Sequence, residues 1–565
     1  MAGTIENSPL IALRNSVFRR LWCFSLLSSM GVTAHDCAAI WAMYKLNASP
    51  VFLSLMSAAA ALPFFLFIVP AGALADVVDR RKLLCVTSFW SALSAGLLAA
   101  LSTLGLLSPG LILLCVFLLG VGLAITAPVW PALASEMVSK EELPSATLLG
   151  SLQLNVGVIL GPSVGGMLLP LVGAKWVFTL NAVCFLLVAV ALLLWKGQVA
   201  PSKLPLENFL ESFFTAIRYV QHSPGIQIIL IRSAVFTFLI SLIPAIIPVI
   251  GLKEVDLNAI GCGLMFSALS GGSVIAGLIL MGWIRAHISP NLLTIVANFL
   301  LGTVFVLIAF VRDQTLFILI AFVGGIGWTL CASELWVAAQ RAIPDWARAR
   351  INAVFFMVTQ GAIVLGGILW GTAAVTFGSA QTLIGGSILL FLSVIIALPL
   401  SINFTRAIDL TPVPVTGFSH KLLYLPKADD GPVVIHYDIQ VDRARGRDFL
   451  ETMKHVRMVY LRNGAFSWRL HEDLGRYNTY RIEIMVPSWS QYLAQTERLT
   501  KAEKKLLERA RNFHVGDTPP EEQMFLCVNR ELHSRRFWKS KAPYSGADPL
   551  KMTAPGAQQA GSSRR

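Results

Sequence analysis

Only 14% of this 565-residue chain is charged and 55% is hydrophobic, so ionisable groups set inside apolar runs are the first places to look for chemistry. Taking a charge out of water is costly, and one retained there has a use. His35 and Asp36 stand side by side in the first apolar run. Arg232 lies near the start of the seventh, Glu334 in the tenth and Gln360 in the eleventh. A carboxyl whose proton affinity is raised by burial can carry a proton, and an imidazole starts nearer neutrality. Asp36 and His35 are therefore proton candidates. Adjacent residues on a helix point about 100° apart, so one can line a cavity while the other bonds a neighbouring helix. A structural hydrogen-bonded pair is the plainer use of the same two residues. Arg232 and Glu334 are substrate or proton candidates as well, although an arginine at that depth more often snorkels its head to the lipid surface. Gln153, Asn155, Gln360, Trp130 and Trp328 are polar or aromatic groups of the kind that line a small-molecule cavity.

A second concentration of charge is "AGALADVVDRRKLL", residues 71–84, where Asp76, Asp79, Arg80, Arg81 and Lys82 fall within seven positions. Basic residues alone would anchor such a loop beside a membrane, but they leave Asp76 unexplained. An acid at a helix end can face the positive N-terminus of another helix and pair with an arginine such as Arg80. Gly72 lets two helices come close. The pattern suits a gate that locks one side of the molecule and reopens. The stretch "GVILGPSVGG" (157–166) sets Gly157, Gly161 and Gly165 at four-residue spacing, with Pro162 and Gly166 beside them. It predicts a smooth helix face with a kink.

Other chemistries find no residues. The eight cysteines are scattered, with no Cys-x-x-Cys and no histidines at ligand spacing, so neither a metal nor a disulfide framework is expected. There is no glycine-rich lysine loop for ATP, no cofactor motif and no nucleic-acid motif, despite a formal net charge of +13. That excess suits an anionic membrane surface.

These residues need a frame of helices. Apolar segments of about 20 residues, the length that crosses a bilayer, follow one another from residue 17 to about 404, and the mean hydropathy is +0.67. Breaks at charges, Pro and Gly predict spans at 18–44, 51–75, 83–107, 110–137, 145–171 and 175–196. A second set is predicted at 226–250, 259–284, 291–311, 315–340, 350–376 and 380–403. The expected fold class is an all-α polytopic membrane protein of about twelve transmembrane helices in two six-helix pseudo-repeats, 1–200 and 224–406. An amphipathic interfacial helix over 201–223 joins them. "VSKEELPSATLLGSLQLNVGVILGPSVGG" (138–166) is echoed by "IPDWARARINAVFFMVTQGAIVLGGILWG" (343–371), with Gly157 falling on Gly361. A duplicated half is how many transporters build a site at the bilayer midplane. Fourteen Lys and Arg fall on the N-terminal side, against Lys45, Lys175, Lys253 and Arg312 on the other, which predicts both termini in the cytoplasm. The first run is long and lacks a cleavage site, so an uncleaved anchor is expected.

Beyond a linker at 407–430, residues 431–540 alternate like a soluble α+β domain. Strands near 432–441, 465–472, 477–487 and 523–530 give the order of a ferredoxin-like split βαβ with one extra helix. Val433, Ile435 and Tyr437 alternate with Val434, His436 and Asp438, so one face is greasier. A sheet with helices on one side leaves the other side open, and an uncovered apolar face that pairs two copies into a homodimer is expected. The segment 541–565 has the Ala, Gly, Pro and Ser composition of a disordered tail.

Residues 71–84 resemble the loop signature of the major facilitator superfamily, Gly-x-Leu-Ala-Asp-Arg-x-Gly-Arg-Arg/Lys-x-x-Leu. Gly72, Leu74, Ala75, Asp76, Arg80, Arg81 and Leu84 match, while Val77 and Asp79 depart from it. The form "PAGALADxxDRRxLL", with "FRRLW" (18–22) and "IRYVQHSP" (217–224), is similar to the enterobactin-exporter-like, transmembrane secretion effector branch. Residues 157–166 resemble the family's fifth-helix motif, described mostly in exporters of the antiporter kind. Residues 431–540 resemble the antibiotic-biosynthesis-monooxygenase type of dimeric α+β barrel, without a transferable oxygenase residue set. The resemblance covers essentially the whole chain. It implies a major facilitator fold and a secondary transporter of the bacterial inner membrane rather than an enzyme. Such a protein would export a small organic molecule (siderophore, drug or metabolite) by proton antiport and alternating access. No cofactor is implied, and the partners would be that substrate, protons and the lipid bilayer. The second-half loop "GWIRAHISPNLL" (282–293) keeps Gly282 and Arg285 without the acid, and the family's arginine on the fourth span is absent. Arg348 or Arg350 is the expected substitute. A membrane-anchored oxygenase-like or ligand-sensing protein, and a proton-coupled importer, are the alternatives.

Overall fold

The computed structural model describes residues 11–139, 141–195, 217–403, 426–427, 429–516, 520 and 522–527. For Ala73, Asp76, Val77, Ser135, Asp345, Ala349 and Glu497 it describes the backbone alone. Most of the expected joining helix (201–216), most of the linker (404–425) and the tail from 528 lie outside the described residues, as does the Asp76 side chain.

The first half contains α1 (Ser16–Lys45), α2 (Pro50–Val77), α3 (Arg80–Thr103), α4 (Pro109–Met137), α5 (Leu143–Val172) and α6 (Ala174–Leu194). The second contains α7 (Pro224–Lys253), α8 (Ala259–His287), α9 (Pro290–Phe310), α10 (Gln314–Ala342), α11 (Arg348–Phe377) and α12 (Ser379–Ala397). Eleven of these, α2 to α12, are long and apolar enough to cross a membrane. The expectation of twelve therefore meets eleven by composition plus α1. That 30-residue helix is lowered in hydropathy by Ser25, Ser28, Ser29, Thr33, His35 and Asp36, yet it packs inside the bundle on α5 and α6.

Local chemistry sets the boundaries. Pro50, Pro109, Pro224 and Pro290 open their helices, where a missing N–H costs nothing. Asn15 caps α1, accepting from the Val17 and Phe18 amides, while its Nδ2 donates to the Met137 carbonyl at 2.7 Å and ties α1 to the end of α4. Asp79, at a position where the family signature has Gly, is the N-cap of α3 and accepts from the Arg81 and Lys82 amides. The α5–α6 and α11–α12 turns each hinge on a glycine with positive φ, Gly173 at +82° and Gly378 at +93°. They occupy matching places in the two halves. Two helices are irregular: α7 is broken at Ser241, and α8 contains a π turn at Ala276–Leu280. The last span stops at Ala397, short of the expected 403.

Between the halves, α5 packs on α8 and α2 on α11. One apolar cluster crosses the boundary, joining Ala34 and Met43 of α1 to Val249 and Leu252 of α7 and Cys262 of α8. It lies at the end of the bundle that carries Lys45 and Lys253, termed the far end. The opposite end, the loop end, carries residues 76–82.

The C-terminal unit is a small sheet with helices on one side. Strands β1 (Val433–Gln440), β2 (Ser467–Glu472), β3 (Thr479–Val486) and β4 (Glu522–Leu526) lie in the order β2-β3-β1-β4, each pair antiparallel. Ile435 stands opposite both Ile484 and Met524. Val433, Ile435, Ile482 and Ile484 pack with Phe449 and Met453 of α13 (Gly446–Arg462) and Trp489 of α14 (Trp489–Glu497). Helix α15 (Lys501–Arg511) completes the layer. The greasy face is therefore the covered one. The open face carries Asp438 bound through both oxygens to Arg481, at 2.7 Å each, and His436 3.4 Å from Glu483. Val434, Met485 and Phe525 give it a small apolar corner. This corrects the expectation of an uncovered apolar face, and the homodimer loses the premise on which it rested. Strand alternation sends the apolar set to whichever side has helices, and it requires nothing apolar of the other side.

Candidate functional site

The glycine motif of α5 serves two neighbours at once. Gly157 abuts Ser29, Gly161 abuts Thr33, and a Cβ on Gly165 would lie 2.9 Å from both the Cα and the carbonyl oxygen of Ala34, all on α1. Thr33 Oγ1 donates to the Gly157 carbonyl at 2.8 Å, a bond only a bare helix face permits. Gly166 turns to the other half, where a Cβ would come 2.8 Å from the Ala259 carbonyl and 2.9 Å from Gly263 Cα of α8. Pro162 removes one amide from the α5 ladder at this crossing. Beside it, Ser163 Oγ donates to Ser267 Oγ at 2.7 Å, and Ser267 Oγ donates to the Ile159 carbonyl at 2.6 Å.

The second half answers in kind. On α11, Gly361 lies against the Phe65 ring, while Gly367 and Gly371 lie against Ser57 and Ser54, all on α2. Gly366 faces Ser241 in the break of α7. Ser54 Oγ donates to the Ala245 carbonyl at 3.0 Å, and Lys253 Nζ donates to the Ala48 carbonyl at 2.9 Å. The Cys37 side chain of α1 lies beside Cys262 of α8 in the apolar cluster that crosses the halves. These links fasten the far end, and small residues allow it because backbones can approach closely.

At the loop end each half holds an ion pair. Arg80 bonds the Glu136 carboxylate at the end of α4, and its Nε donates to the Ala75 carbonyl at 3.2 Å. Arg285, at the end of α8, bonds Glu334 of α10. The acid missing from the second-half loop thus comes from a neighbouring helix. Arg81 serves a different end, since its guanidinium donates at 2.8 Å to the Leu192 and Leu193 carbonyls and caps the last turn of α6. A Cβ added at Gly72 would meet nothing within 4 Å, so the close approach expected there is not made in this arrangement. Gly282 is equally open. Glu136 was not singled out from the sequence. Its signal was a lone acid closing an apolar span.

The remaining candidates separate. His35 is fully buried, edge-on to Phe178 of α6 at 4.9 Å, and neither ring nitrogen has a hydrogen-bond partner. Asp36, 3.6 Å away, keeps 45% of its side chain exposed. Asn181 on α6, unnoticed in the sequence, is buried against Gly31 with both amide atoms unpartnered. Arg232 neither snorkels nor opens onto a wide cavity. It is buried in the second half, bonded to Asn291, Thr294 and, at 3.1 Å, the Leu400 carbonyl just past α12. The cavity beside it is about 20 Å³, room for a water and not for a substrate. Gln360 is half-buried on α11. Asn155 is exposed and spends its amide on the Ser151 carbonyl of its own helix. Trp130 and Trp328 pack against the cores of their halves. In the sheet domain, His514 Nδ1 accepts from the Gln440 amide at 3.1 Å, a structural role.

Paired seams between two helical halves, with an ion pair at the same end of each, define a multi-pass membrane transporter of the major facilitator kind. The model of the family described as "Transmembrane secretion effector" matches residues 7–532, and the chain belongs to that family. Its relatives are transporters rather than enzymes. The "Staphyloferrin A transporter" of Staphylococcus aureus (strain NCTC 8325 / PS 47) is 23% identical over 60% of this chain and 85% of its own length. The "Multidrug efflux pump Tap" of Mycolicibacterium fortuitum is 25% identical over 66% and 92%. The "Enterobactin exporter EntS" of Citrobacter koseri (strain ATCC BAA-895 / CDC 4225-83 / SGSC4696) is 25% identical over 54% and 73%. Among solved structures, a bacterial homologue of the human lysosomal transporter Spinster, inward-facing and unoccupied, superposes with a TM-score of 0.56 at 14% identity, covering 70% of this chain and 97% of that one. A point mutant of the nucleoside transporter NupG gives 0.58 at 12%, covering 68% and 100%. These two share the fold.

Proposed function

We propose that this protein exports a small organic molecule, of the siderophore, drug or metabolite class, across the bacterial inner membrane by proton antiport. The observation that carries this reading is the pair of glycine-lined seams, α5 on α8 and α2 on α11, with hydrogen bonds across the halves from α5 to α8 and from α2 to α7. Two rigid halves joined along such seams can rock, opening one end as the other closes. With α1 counted as a twelfth span both termini fall on the side of the loop end, and in this reading the excess of Lys and Arg there makes that side the cytoplasm. The sealed far end then faces outward, and a cytoplasmic substrate has access first. Relatives named for efflux and enterobactin export favour this direction over uptake.

Two groups are assigned to the cycle. Asp36, half open beside His35, is the proton carrier of this reading. Asp76, at the end of α2, bridges to the start of α11 when the loop end closes, with Arg80 held ready by Glu136. The sheet domain is taken as a ferredoxin-like accessory, supported by its strand order.

The test is flux in everted membrane vesicles, using the compound that accumulates in a deletion strain as found by metabolite profiling. Uptake into everted vesicles on energisation supports export, and loss from them would reverse the direction. A chain ending near Pro412 that still transports would exclude the anchored-enzyme alternative. Asp76→Asn should abolish transport at normal membrane abundance; unchanged transport would leave the loop as an anchor.

A further inference from the structure

The sheet domain meets the bundle at the base of α11 and at the end of the joining segment. The Arg498 guanidinium, from the turn between α14 and α15, lies 4.6 Å from the Trp346 ring. Trp346 belongs to the 3-10 turn Asp345–Ala347 that runs directly into α11. The same ring stands nearly perpendicular to that of Tyr219, 5.5 Å between centroids, at the end of the segment joining the two halves. Next to it, Arg218 donates to the Gly464 carbonyl at 3.3 Å, in the turn after α13. Tyr219 is buried, as is Arg498. The docking turn is braced from behind. Glu503, buried, takes hydrogen bonds from Arg462 and Asn463 and closes the capping box of α15 with Thr500. A cation over an indole face, shielded from water, is among the stronger surface contacts available. An exposed linker domain would have no need of it.

Position gives this contact its meaning. Helix α11 forms the seam with α2, so it must shift against the other half whenever the ends exchange. A contact made in one arrangement and broken in the other biases the equilibrium by its own free energy. We propose that the C-terminal domain is a clamp on the transport cycle: through Arg498 on Trp346, and Gly464 on Arg218, it holds the base of α11 to the joining segment and stabilises the arrangement with the far end sealed. This rests on the alternating-access reading above and assigns the domain its part in it.

The test uses the full-length protein in lipid nanodiscs. Hydrogen exchange reads the docking site at 217–223 and 343–350. Copper-catalysed oxidation reads the far end, because Cys37 and Cys262 face each other across the halves. Joining them removes two thiol protons and two electrons, which pass to dioxygen, and the linked peptides are quantified by mass spectrometry. Arg498→Ala and Trp346→Ala should each speed exchange at both segments about tenfold, the scale of losing a desolvated cation–π contact. They should also lower the yield of Cys37–Cys262 linkage at least about twofold, because the sealed arrangement becomes less populated. Gly166→Ala, which forces α5 off α8, is the reference that lowers linkage by itself. Unchanged exchange in both variants overturns the docking. Faster exchange with undiminished linkage, while Gly166→Ala lowers it, overturns the clamp and leaves alternating access standing. Linkage that no variant alters, Gly166→Ala included, overturns alternating access and the clamp together.

Discussion

Arg285 and Glu334 form an ion pair between α8 and α10 in which the two partners are unequally buried, 33% of the arginine side chain being exposed against 3% of the carboxylate. That inequality decides what each substitution does. Removing Arg285 strands a buried carboxylate, whereas removing the charge of Glu334 leaves an arginine that can reach water. Arg285→Met should therefore cost about 3 kcal/mol and Glu334→Gln about 1 kcal/mol, with the double variant recovering part of the loss. Thermal unfolding of the full-length protein in detergent measures this. Equal costs would mean that the pair is solvated alike on both sides.

Arg80 and Glu136 are the first-half counterpart, and both are about a quarter exposed, at 25% and 27%. An ion pair so placed is worth about 0–1 kcal/mol and weakens with salt. Glu136→Gln should shift the unfolding temperature little, and the shift should vanish at about 1 M salt, where the screening length falls to about 3 Å. A large, salt-independent effect would reveal burial that this geometry does not have.

The seams predict a contrast among glycines of one helix. Gly165→Ala places a methyl 2.9 Å from Ala34 backbone atoms and should destabilise the protein by about 1–3 kcal/mol. Gly150→Ala meets nothing within 4 Å and should be neutral or stabilising by up to about 1 kcal/mol, through helix propensity. Unfolding of the two variants side by side is the measurement. Similar losses would sink the packing account of the motif.

Asp36 carries the proton prediction. Its side chain is half open and lies beside a buried His35 without other polar partners. Asp36→Asn should abolish proton release coupled to substrate entry in everted vesicles and leave substrate exchange running, since exchange moves no net proton. A variant with wild-type pH dependence rejects Asp36 as the carrier.

In the sheet domain, two hydrogen bonds from Arg481 hold the Asp438 carboxyl below its ordinary 3.8. A carboxyl lowered by folding stabilises the fold above its unfolded pKa, and the contribution is lost as pH falls through the lowered folded value. Because both partners are at least a third exposed, the gain is under about 1 kcal/mol. Asp438→Asn should lower the urea midpoint of the domain at pH 7, read by pulse-labelled hydrogen exchange over β1 and β3. The difference should shrink as pH falls through the lowered folded value and the carboxyl takes up its proton. A loss that persists in acid would point to packing rather than charge.

The sequence by itself determined the helices and their duplication. Runs of about 20 apolar residues have few alternatives in a bilayer, and Pro50, Asp79, Gly173 and Gly378 mark their ends through local backbone chemistry. It also pointed to the bare face of α5, because four-residue spacing is a property of one helix. Partners across space were not legible. Arg285 found its acid on α10, Arg81 went to cap α6, Arg232 turned into the second half, and Trp346 met an arginine from another domain. Each of those choices depends on which helix lies alongside, which no periodicity encodes. The sheet makes the same point. Alternation announced two unlike faces, and only the packing of α13 and α14 decided that the apolar one would be covered, leaving Asp438 and Arg481 toward solvent. Local periods fix which residues share a face; the burial of apolar area against a particular neighbour decides where that face points.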